Sequence, residues 1–260
     1  YKRQVRGIET SAGRVSAVVT ERGTIACQRV VLAGGAWSRL FLGNLGIDFP
    51  QLKVLGSVLR TQPLEGPPTH AVGGSDFAFR KRADGGYTIA HRGASVAEIV
   101  PDSFRLMGDF MPSLVKQRHE LRLRLGRRFL DEARTPRRWA LDEETPFERE
   151  RVLDPAPHEA ILREAQANLV KAFPAFAGMK VAQAWGGLLD VMPDAVPVIG
   201  EVPRLPGFFI ASGLSGHGFG IGPGAGRLVA DLVAGKTPVT DAKPFRLERF
   251  ARLERTTRAA

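Results

Sequence analysis

The sequence predicts a mixed α/β fold, and two observations carry this prediction. Near each end of the chain, an apolar stretch typical of a buried strand leads into glycines and then into a helical pattern. Between these ends, short stretches alternate apolar and polar residues and stop at turn residues, as antiparallel strands do. The chain has 260 residues, of which 43% are hydrophobic and 25% charged, so it can bury a substantial core.

The first segment, roughly residues 1–45, is predicted to be a run of short strands. Turns are expected at Ala12-Gly13 and at Arg22-Gly23. The apolar run 30–33 predicts a fully buried strand, which two glycines and a helix from about Ala36 follow.

The second segment, roughly residues 46–180, has the alternating patterns of an antiparallel sheet. Stretches 53–64 and 76–93 are predicted strands, and the latter folds over an Asp-Gly-Gly hairpin turn. Stretch 121–130 fits either strand alternation or one face of a helix. Stretch 154–173 predicts a helix, because its apolar residues recur at helical spacing.

The third segment, roughly residues 181–260, returns to the α/β pattern. Residues 207–213 predict a buried strand, and a glycine-rich loop follows it. A helix is expected over 226–235, with Gly235 as its C-terminal cap. The tail 246–260 suggests one last helix that frays.

Charge and cysteine content restrict the functional classes. The net charge of +10 raises the alternative of a basic, non-enzymatic nucleic-acid-binding module. We favour solvated faces and salt bridges instead, because the arginine-rich stretches lack interleaved aromatic residues and zinc-ligand spacing.

Cys27 is the only cysteine, and we interpret it as a small buried hydrophobe in a reducing compartment. No apolar run is long enough for a transmembrane segment, so we expect a cytoplasmic protein.

Two glycine motifs follow predicted strands, one at Gly34-Gly35 and one within 213–226, which contains seven glycines. Glycine lets a ligand lie against bare backbone, and the helix that follows directs its free N–H groups and positive dipole end at that ligand. The ligand should therefore be anionic. Residues 220–225 match G-x-G-x-x-A, which keeps an NAD-linked dehydrogenase as an alternative. However, no second strand follows, so the fingerprint lacks its usual context.

Three stretches, 13–38, 184–200 and 205–235, together resemble the D-amino-acid oxidase-like family of FAD-dependent oxidoreductases. This family includes glycine oxidase, sarcosine oxidase, and D-amino-acid and opine dehydrogenases. The resemblance implies a partial three-layer FAD-binding domain formed by 1–45 and 181–260. It also implies an antiparallel-sheet substrate domain over 46–180.

The resemblance also implies a non-covalently bound FAD. The glycine loop would lie beside the flavin ring, and the first glycine motif would lie near the adenosine–diphosphate half. The residues expected to contact the cofactor are Gly34, Gly35, Ala36, Trp37, Gly187, Gly213, Leu214, Ser215, Gly216, His217, Gly218, Phe219, Gly220 and Ile221.

The family begins with a strand–GxGxxG–helix unit, and nothing similar precedes Tyr1. We therefore expect this chain to be the C-terminal portion of a longer polypeptide. By itself it should bind FAD poorly or not at all and be inactive.

The implied reaction is oxidation of the C–N bond of a D-amino, imino or N-substituted amino acid. Many family members read W-x-G-x-R-P, whose arginine pairs with the substrate carboxylate, but here Leu189 takes the arginine position and Asp190 follows it. Arg60 and Tyr87 are candidates for substrate contacts, with surface or packing roles as the alternative. The Leu-Asp variant resembles the opine and imino-acid dehydrogenases, which suggests a quinone or a partner subunit as electron acceptor.

His217 is the one candidate for a catalytic side chain, with a flavin-contacting or structural role as the favoured alternative. Asp190 and Asp194 flank a Met-Pro pair, where loop capping is the favoured role. The remaining histidines are scattered, so no metal site is expected.

Overall fold

The computed structural model describes residues 3–116 and 121–250 of the chain. Within these ranges the strands are β1 (Val5–Ser11), β2 (Arg14–Thr20), β3 (Gly23–Ala26), β4 (Val30–Leu32), β5 (Leu52–Thr61), β6 (Val72–Gly73), β7 (Ala78–Lys81), β8 (Tyr87–Ala90), β9 (Ser95–Ile99), β10 (Leu121–Leu125), β11 (Val181–Val191), β12 (Val198–Glu201) and β13 (Phe208–Ser212). The α-helices are α1 (Ser38–Asn44), α2 (Pro101–Arg105), α3 (Met107–Lys116), α4 (Arg128–Arg134), α5 (Pro146–Arg149), α6 (Glu159–Ala172) and α7 (Gly218–Ala234). The mixed α/β fold is thereby confirmed.

Contacts divide the chain into two compact units. The first unit comprises Tyr1–Leu52, Ala133–Val152 and Leu189–Ala260. The second unit comprises Lys53–Glu132 and Leu153–Leu188. The sequence analysis placed 133–152 inside the continuous segment 46–180, whereas the structure packs it with the first unit.

The core of the first unit lies between two three-stranded sheets. β1, β2 and β3 form an antiparallel meander, and the second sheet has the order β12-β13-β4. Ile8 and Val15 of the meander pack in one cluster with Phe208 of the second sheet. Ile199 and Phe209 lie at the alternating positions, on the opposite face of that sheet, and are also buried. α7 contacts both of their strands, β12 and β13. The unit therefore stacks a meander, a mixed sheet and a helix in three layers.

The two turns predicted in the first segment are confirmed. Ala12 and Gly13 join β1 to β2 with positive φ angles of 49° and 74°, and Gly23 begins β3 with φ 121°. Cys27 is half-buried against the core cluster, so the expectation of a buried small hydrophobe holds only in part.

The strand predicted at 30–33 is present as β4, but the prediction that it is fully buried was wrong. Val31 is 40% exposed. β4 pairs in parallel with β13, so that Val30 lies opposite Phe208. Within the described residues, β4 is an edge strand of its sheet. The apolar sequence of β4 therefore did not reveal that no described strand pairs with one of its two edges.

Specific polar contacts attach segment 133–152 to the first unit. The Trp139 indole Nε1 donates to the Arg6 carbonyl at 2.7 Å, and its backbone N–H donates to Asn44 Oδ1 at 3.0 Å. The Phe147 ring packs edge-on against Trp139, at a centroid distance of 5.4 Å. The two Trp139 hydrogen bonds cannot be deduced from sequence spacing, because they join residues 133 and 95 positions apart.

Two ion pairs complete this attachment and should make it sensitive to acid. The Arg6 guanidinium donates two hydrogen bonds of 2.9 Å to Glu148, and these hold the pKa of that carboxyl below its ordinary value. Arg151 donates to Glu21 and lowers its pKa to about 2. Both carboxylates therefore stabilise the folded state above the ordinary glutamate pKa of about 4.3. That contribution disappears as the pH falls through the lower pKa values of the folded state.

Replacing Glu148 with glutamine should therefore destabilise the protein at neutral pH, with a smaller difference from the parent in acid. Urea unfolding of both proteins between pH 7 and pH 3 measures this. Glu159→Gln, on an exposed face of α6, serves as the control because Glu159 is largely solvated. A difference that stays constant across this pH range would contradict the assigned role of Glu148.

The second unit is built on one large sheet. Its strands have the order β10-β9-β5-β8-β7-β6, and β11 also pairs with β5. The pairs β5–β8, β5–β9, β6–β7 and β7–β8 are antiparallel, as predicted, whereas β9–β10 is parallel. The predicted Asp-Gly-Gly turn joins β7 to β8, with Gly85 at φ 81°.

The predicted helix within 154–173 is confirmed as α6. Its buried residues recur at helical spacing and pack against the sheet; they are Ile161, Leu162, Ala165 and Leu169. The stretch 121–130, left open between strand and helix, contains the strand β10 and the start of α4. The predicted tail helix falls largely in 251–260, outside the described residues. Among the described residues, no helix is long and apolar enough to cross a membrane.

Candidate functional site

The two glycine motifs meet at one edge of the mixed sheet in the first unit. β4 and β13 are parallel neighbours, so their carboxyl ends point to the same side. The hydroxyls of Ser38, the first residue of α1, and Ser212, the last residue of β13, lie 2.7 Å apart and are buried. The structure therefore places Gly34 and Gly35 next to the start of the glycine loop.

A buried glutamine fixes the first glycine motif. Gln51 Nε2 donates to the Gly35 carbonyl at 3.0 Å, and its Oε1 accepts from the Arg39 backbone N–H at 3.1 Å. Gly35 itself has φ 50°, a backbone conformation that favours glycine. The motif leads through a single 3-10 turn, Gly35–Trp37, into α1. The helix predicted from about Ala36 thus begins within two residues of that position.

Asp190 holds the glycine loop in place. Its Oδ2 accepts a hydrogen bond from the Gly213 backbone N–H at 2.7 Å and another from the Ser212 hydroxyl at 3.3 Å. Its backbone carbonyl accepts from the Ser215 N–H at 2.8 Å. A substrate contact was one sequence-based candidate role for Asp190, but these bonds match the favoured loop-capping role. Asp194 likewise accepts from the Val196 N–H at 3.0 Å.

The backbone of the loop repeatedly enters the left-handed region. Gly213, Ser215 and Gly216 have φ angles of 78°, 51° and 80°. Ser215 pays the usual steric cost of this conformation, which its side chain offsets by accepting from the Met192 N–H at 3.1 Å and donating to the Gly213 carbonyl at 3.1 Å. The Ser215 side chain therefore stabilises the loop from inside.

The prediction that the glycine-rich stretch is a loop as far as Gly226 was wrong. α7 begins at Gly218, so five of the glycines are helical. His217 is the N-cap residue, and its carbonyl accepts from Gly220 and Ile221. Its side chain makes no capping bond, and within the described residues the N–H groups of Gly218 and Phe219 have no acceptor. Gly235 ends the helix in the left-handed conformation, as predicted.

Four of the five helical glycines are not required by packing within the described chain. A Cβ built on Gly220, Gly222, Gly224 or Gly226 would meet no atom within 4 Å. The loop glycine Gly213 differs, because its Cβ would lie 2.4 Å from Met192 Cγ. Bare backbone beside open space, together with free N–H groups at the positive end of a long helix, suits a flat ligand that carries or acquires negative charge. The residues present therefore fit the cofactor that the sequence resemblance implies.

Other predicted cofactor residues have varied surroundings. Ala36 is buried, and the Trp37 ring packs edge-on against Phe147 at 5.2 Å. The Leu214 side chain packs beside Gly218. Phe219 is 97% exposed and Ile221 is 42% exposed, so neither contributes to the core. The His217 side chain is also exposed.

Three of the predicted residues lie in the second unit. Gly187, on β11, has open space where a Cβ would be. Arg60 Nε donates to Gln183 at 3.0 Å, which is a surface contact between strands. Tyr87 is fully buried, and its hydroxyl donates to the Pro67 carbonyl at 3.0 Å. Tyr87 is thus a packing residue in this structure, and its candidate substrate contact is corrected accordingly.

Sequence reasoning missed Ser38, Gln51 and Ser212, which connect the two glycine motifs. The two serines stand close to the glycine motifs in sequence, but neither their spacing nor their type indicates a mutual contact. Among the described residues, no cluster of three or more His, Cys, Asp or Glu side chains could hold a metal ion.

Known proteins resemble this chain along nearly its whole length. The family described as FAD dependent oxidoreductase (DAO) matches residues 1–232. Glycine oxidase of Pseudomonas aeruginosa is 25% identical, with 93% of this chain and 51% of that protein aligned. D-amino acid dehydrogenase of Rhodopseudomonas palustris is 26% identical, with 96% of this chain and 46% of that protein aligned.

Among solved structures, L-amino acid deaminase of Proteus myxofaciens, in complex with anthranilate, has a TM-score of 0.91 and 38% identity. That match covers 95% of this chain and 55% of the deaminase. The chain therefore spans about half the length of the relatives it matches. These matches favour the flavin interpretation over the nicotinamide and nucleic-acid alternatives.

Proposed function

We propose a function from the premise that this chain belongs to the family of FAD-dependent oxidoreductases. The protein that contains the chain oxidises the C–N bond of an amino, imino or N-substituted amino acid. A hydride and a proton leave the C–N unit of the substrate, and water then hydrolyses the resulting imine. When bound, FAD supplies the acceptor for the hydride. One observation carries the proposal: two glycine motifs meet beside a long helix whose first two N–H groups have no acceptor among the described residues.

Each element of this site has a proposed role. The start of α7 would stabilise negative charge that develops on the pyrimidine end of the flavin, because a fixed dipole needs no reorganisation. Gly34, Gly35 and the loop 213–217 would let the backbone approach the cofactor closely. Asp190 would keep that loop in shape, which is a positioning role. His217 would contact the flavin, with a catalytic role as the alternative.

The comparisons widen the substrate class. Relatives are named for glycine, for D-amino acids and for L-amino acids. The proposed substrate is therefore a carboxylic acid that carries an amine, and it is oxidised at the carbon bonded to the nitrogen. The proposal does not specify the configuration of that carbon. In the same way, we propose that the first unit completes a flavin domain and that the second unit forms the substrate domain.

The test requires the complete gene product that contains this chain. After purification, it should show a flavin absorption spectrum. Anaerobic addition of D-amino acids, L-amino acids and N-substituted amino acids should bleach that spectrum for at least one class. A protein that purifies colourless and does not bind added FAD would refute the proposal. This chain alone should bind FAD far more weakly than the complete protein.

The electron acceptor and the location are finer proposals. We propose a quinone or a partner subunit as acceptor, which rapid quinone reduction with slow oxygen consumption would support.

We also propose a cytoplasmic protein that is peripheral at the inner membrane. Supporting this, the second unit exposes large apolar side chains close in sequence to exposed arginines; the apolar residues are Phe104, Val115, Leu123, Leu125 and Leu130, and the arginines are Arg105 and Arg127. Co-sedimentation with anionic vesicles, but not with zwitterionic ones, is expected, and equal sedimentation in both would refute it.

A further inference from the structure

A chain of buried polar side chains joins the two glycine motifs of the first unit. Ser38, Gln51 and Ser212 are each at most 2% exposed. The Ser38 backbone N–H donates to the Gly35 carbonyl, which also accepts from the Gln51 side chain. Ser38 is thereby fixed to the first motif, and its hydroxyl lies 2.7 Å from that of Ser212. Polar groups buried this deeply depend on one another for their hydrogen bonds.

The Asp190 carboxylate sets the direction of this chain. The Ser212 hydroxyl has three neighbouring acceptors, which are Asp190 Oδ2 at 3.3 Å, the Gly35 carbonyl at 3.4 Å and the Ser38 hydroxyl. A hydroxyl donates only one hydrogen bond, and a carboxylate is a stronger acceptor than another hydroxyl. The Gly35 carbonyl already accepts two hydrogen bonds, which is its full capacity. Ser212 therefore donates to Asp190, and Ser38 donates to Ser212.

Asp190 extends the same chain into the glycine loop. Its Oδ2 accepts from the Gly213 N–H at 2.7 Å as well as from Ser212, and its backbone carbonyl accepts from the Ser215 N–H at 2.8 Å. Ser215 has φ 51°, a conformation that persists in a non-glycine residue only where surrounding bonds enforce it. The shape of the loop is thus tied, through Asp190, Ser212 and Ser38, to the position of Gly35.

We propose that Ser212 couples the two halves of the cofactor site, so that binding of the adenosine–diphosphate half at the first motif strengthens binding of the flavin half at the loop. This rests on the proposed function, which places FAD against both motifs. A ligand at one motif orders the buried chain, and a ligand at the other motif then loses less conformational entropy on binding. Ser212 is a positioning residue in this role, because it acts through Ser38 and Asp190 and needs no contact with the cofactor.

The test uses the apoprotein of the complete gene product, with ADP and riboflavin as separate probes that together contain both halves of FAD. In the parent, saturating ADP should tighten riboflavin binding, measured by quenching of its fluorescence, by about 5-fold to 150-fold, the usual range of coupling between two sites. Ser212→Ala should abolish this gain, because it removes the link between the motifs. Ser38→Ala should retain only part of it, because Ser212 keeps its bond to Asp190. A merely structural defect would instead weaken riboflavin binding equally with and without ADP.

Thr20→Val is the matched control, since it removes another buried hydroxyl of the first unit, one that donates to the Gly23 carbonyl at 2.7 Å in the turn between β2 and β3. It should keep the gain that ADP gives the parent. An equal gain in the parent and in Ser212→Ala, or no gain in a parent that binds FAD and oxidises an amino acid, would overturn the coupling and leave the proposed function intact. A complete protein that binds neither FAD nor riboflavin would refute the proposed function, and the coupling with it.

Discussion

Replacing Gly213 with alanine is expected to lower the free energy of unfolding by about 2–5 kcal/mol. The left-handed conformation at φ 78° costs a non-glycine residue about 1–2 kcal/mol. The new Cβ would also lie 2.4 Å from Met192 Cγ, and such crowding costs about 1–3 kcal/mol. Because Met192 is almost fully buried, it has little room to move away. Urea unfolding of the parent and the variant measures the difference.

A double-mutant cycle separates these two costs. Met192→Ala alone should cost about 2–5 kcal/mol, because it empties a buried site. Combined with Gly213→Ala, it should cost about 1–3 kcal/mol less than the sum, since the crowding disappears. Gly43→Ala, in α1 of the same unit, is the control, because its Cβ meets nothing. If the free-energy changes of the two substitutions were strictly additive, Met192 would not crowd a side chain at position 213.

Replacing Gly220 with leucine should have the opposite profile: little or no loss of stability, but weak flavin binding. Nothing in the described chain lies within 4 Å of a Cβ there, and a leucine within a helix is more favourable than glycine by up to about 1 kcal/mol. In the site proposed for the complete protein, the side chain would occupy space assigned to the cofactor. Crowding of about 1–3 kcal/mol corresponds to an affinity loss of about 5-fold to 150-fold.

Thermal unfolding of the apoprotein and titration with FAD provide the two measurements for Gly220→Leu. The control is Gly108→Leu in α3, another helical glycine with open space around it, but in the second unit. It should leave the FAD affinity unchanged. If Gly220→Leu binds FAD as tightly as the parent, the backbone of α7 does not approach the cofactor there.

Gly213 and Gly220 show why glycine content by itself is ambiguous. Both belong to the same stretch of sequence, and both suggested a close approach to the backbone. The structure distinguishes them, because Gly213 is crowded by a buried side chain of its own chain and Gly220 faces open space. The first is required by the fold, and the second is available to a ligand.

Local patterns predicted much of the rest. The apolar spacing of α6, the glycine cap of α7 and the turns at residues 12–13 and 84–86 were all predicted correctly. These features depend on residues a few positions apart, whose backbone preferences act in any context. The meeting of the two glycine motifs at one edge of the sheet was not predicted, because it depends on the parallel pairing of β4 with β13.

Only the tertiary structure assigned Asp190 to the glycine loop, Tyr87 to the core and segment 133–152 to the first unit. Each of these facts concerns side chains far apart in sequence, and a carboxylate or guanidinium has many eligible partners along a chain. Backbone preference and apolar periodicity specify strands and helices, whereas the choice among polar partners depends on which of them packing brings within hydrogen-bond distance.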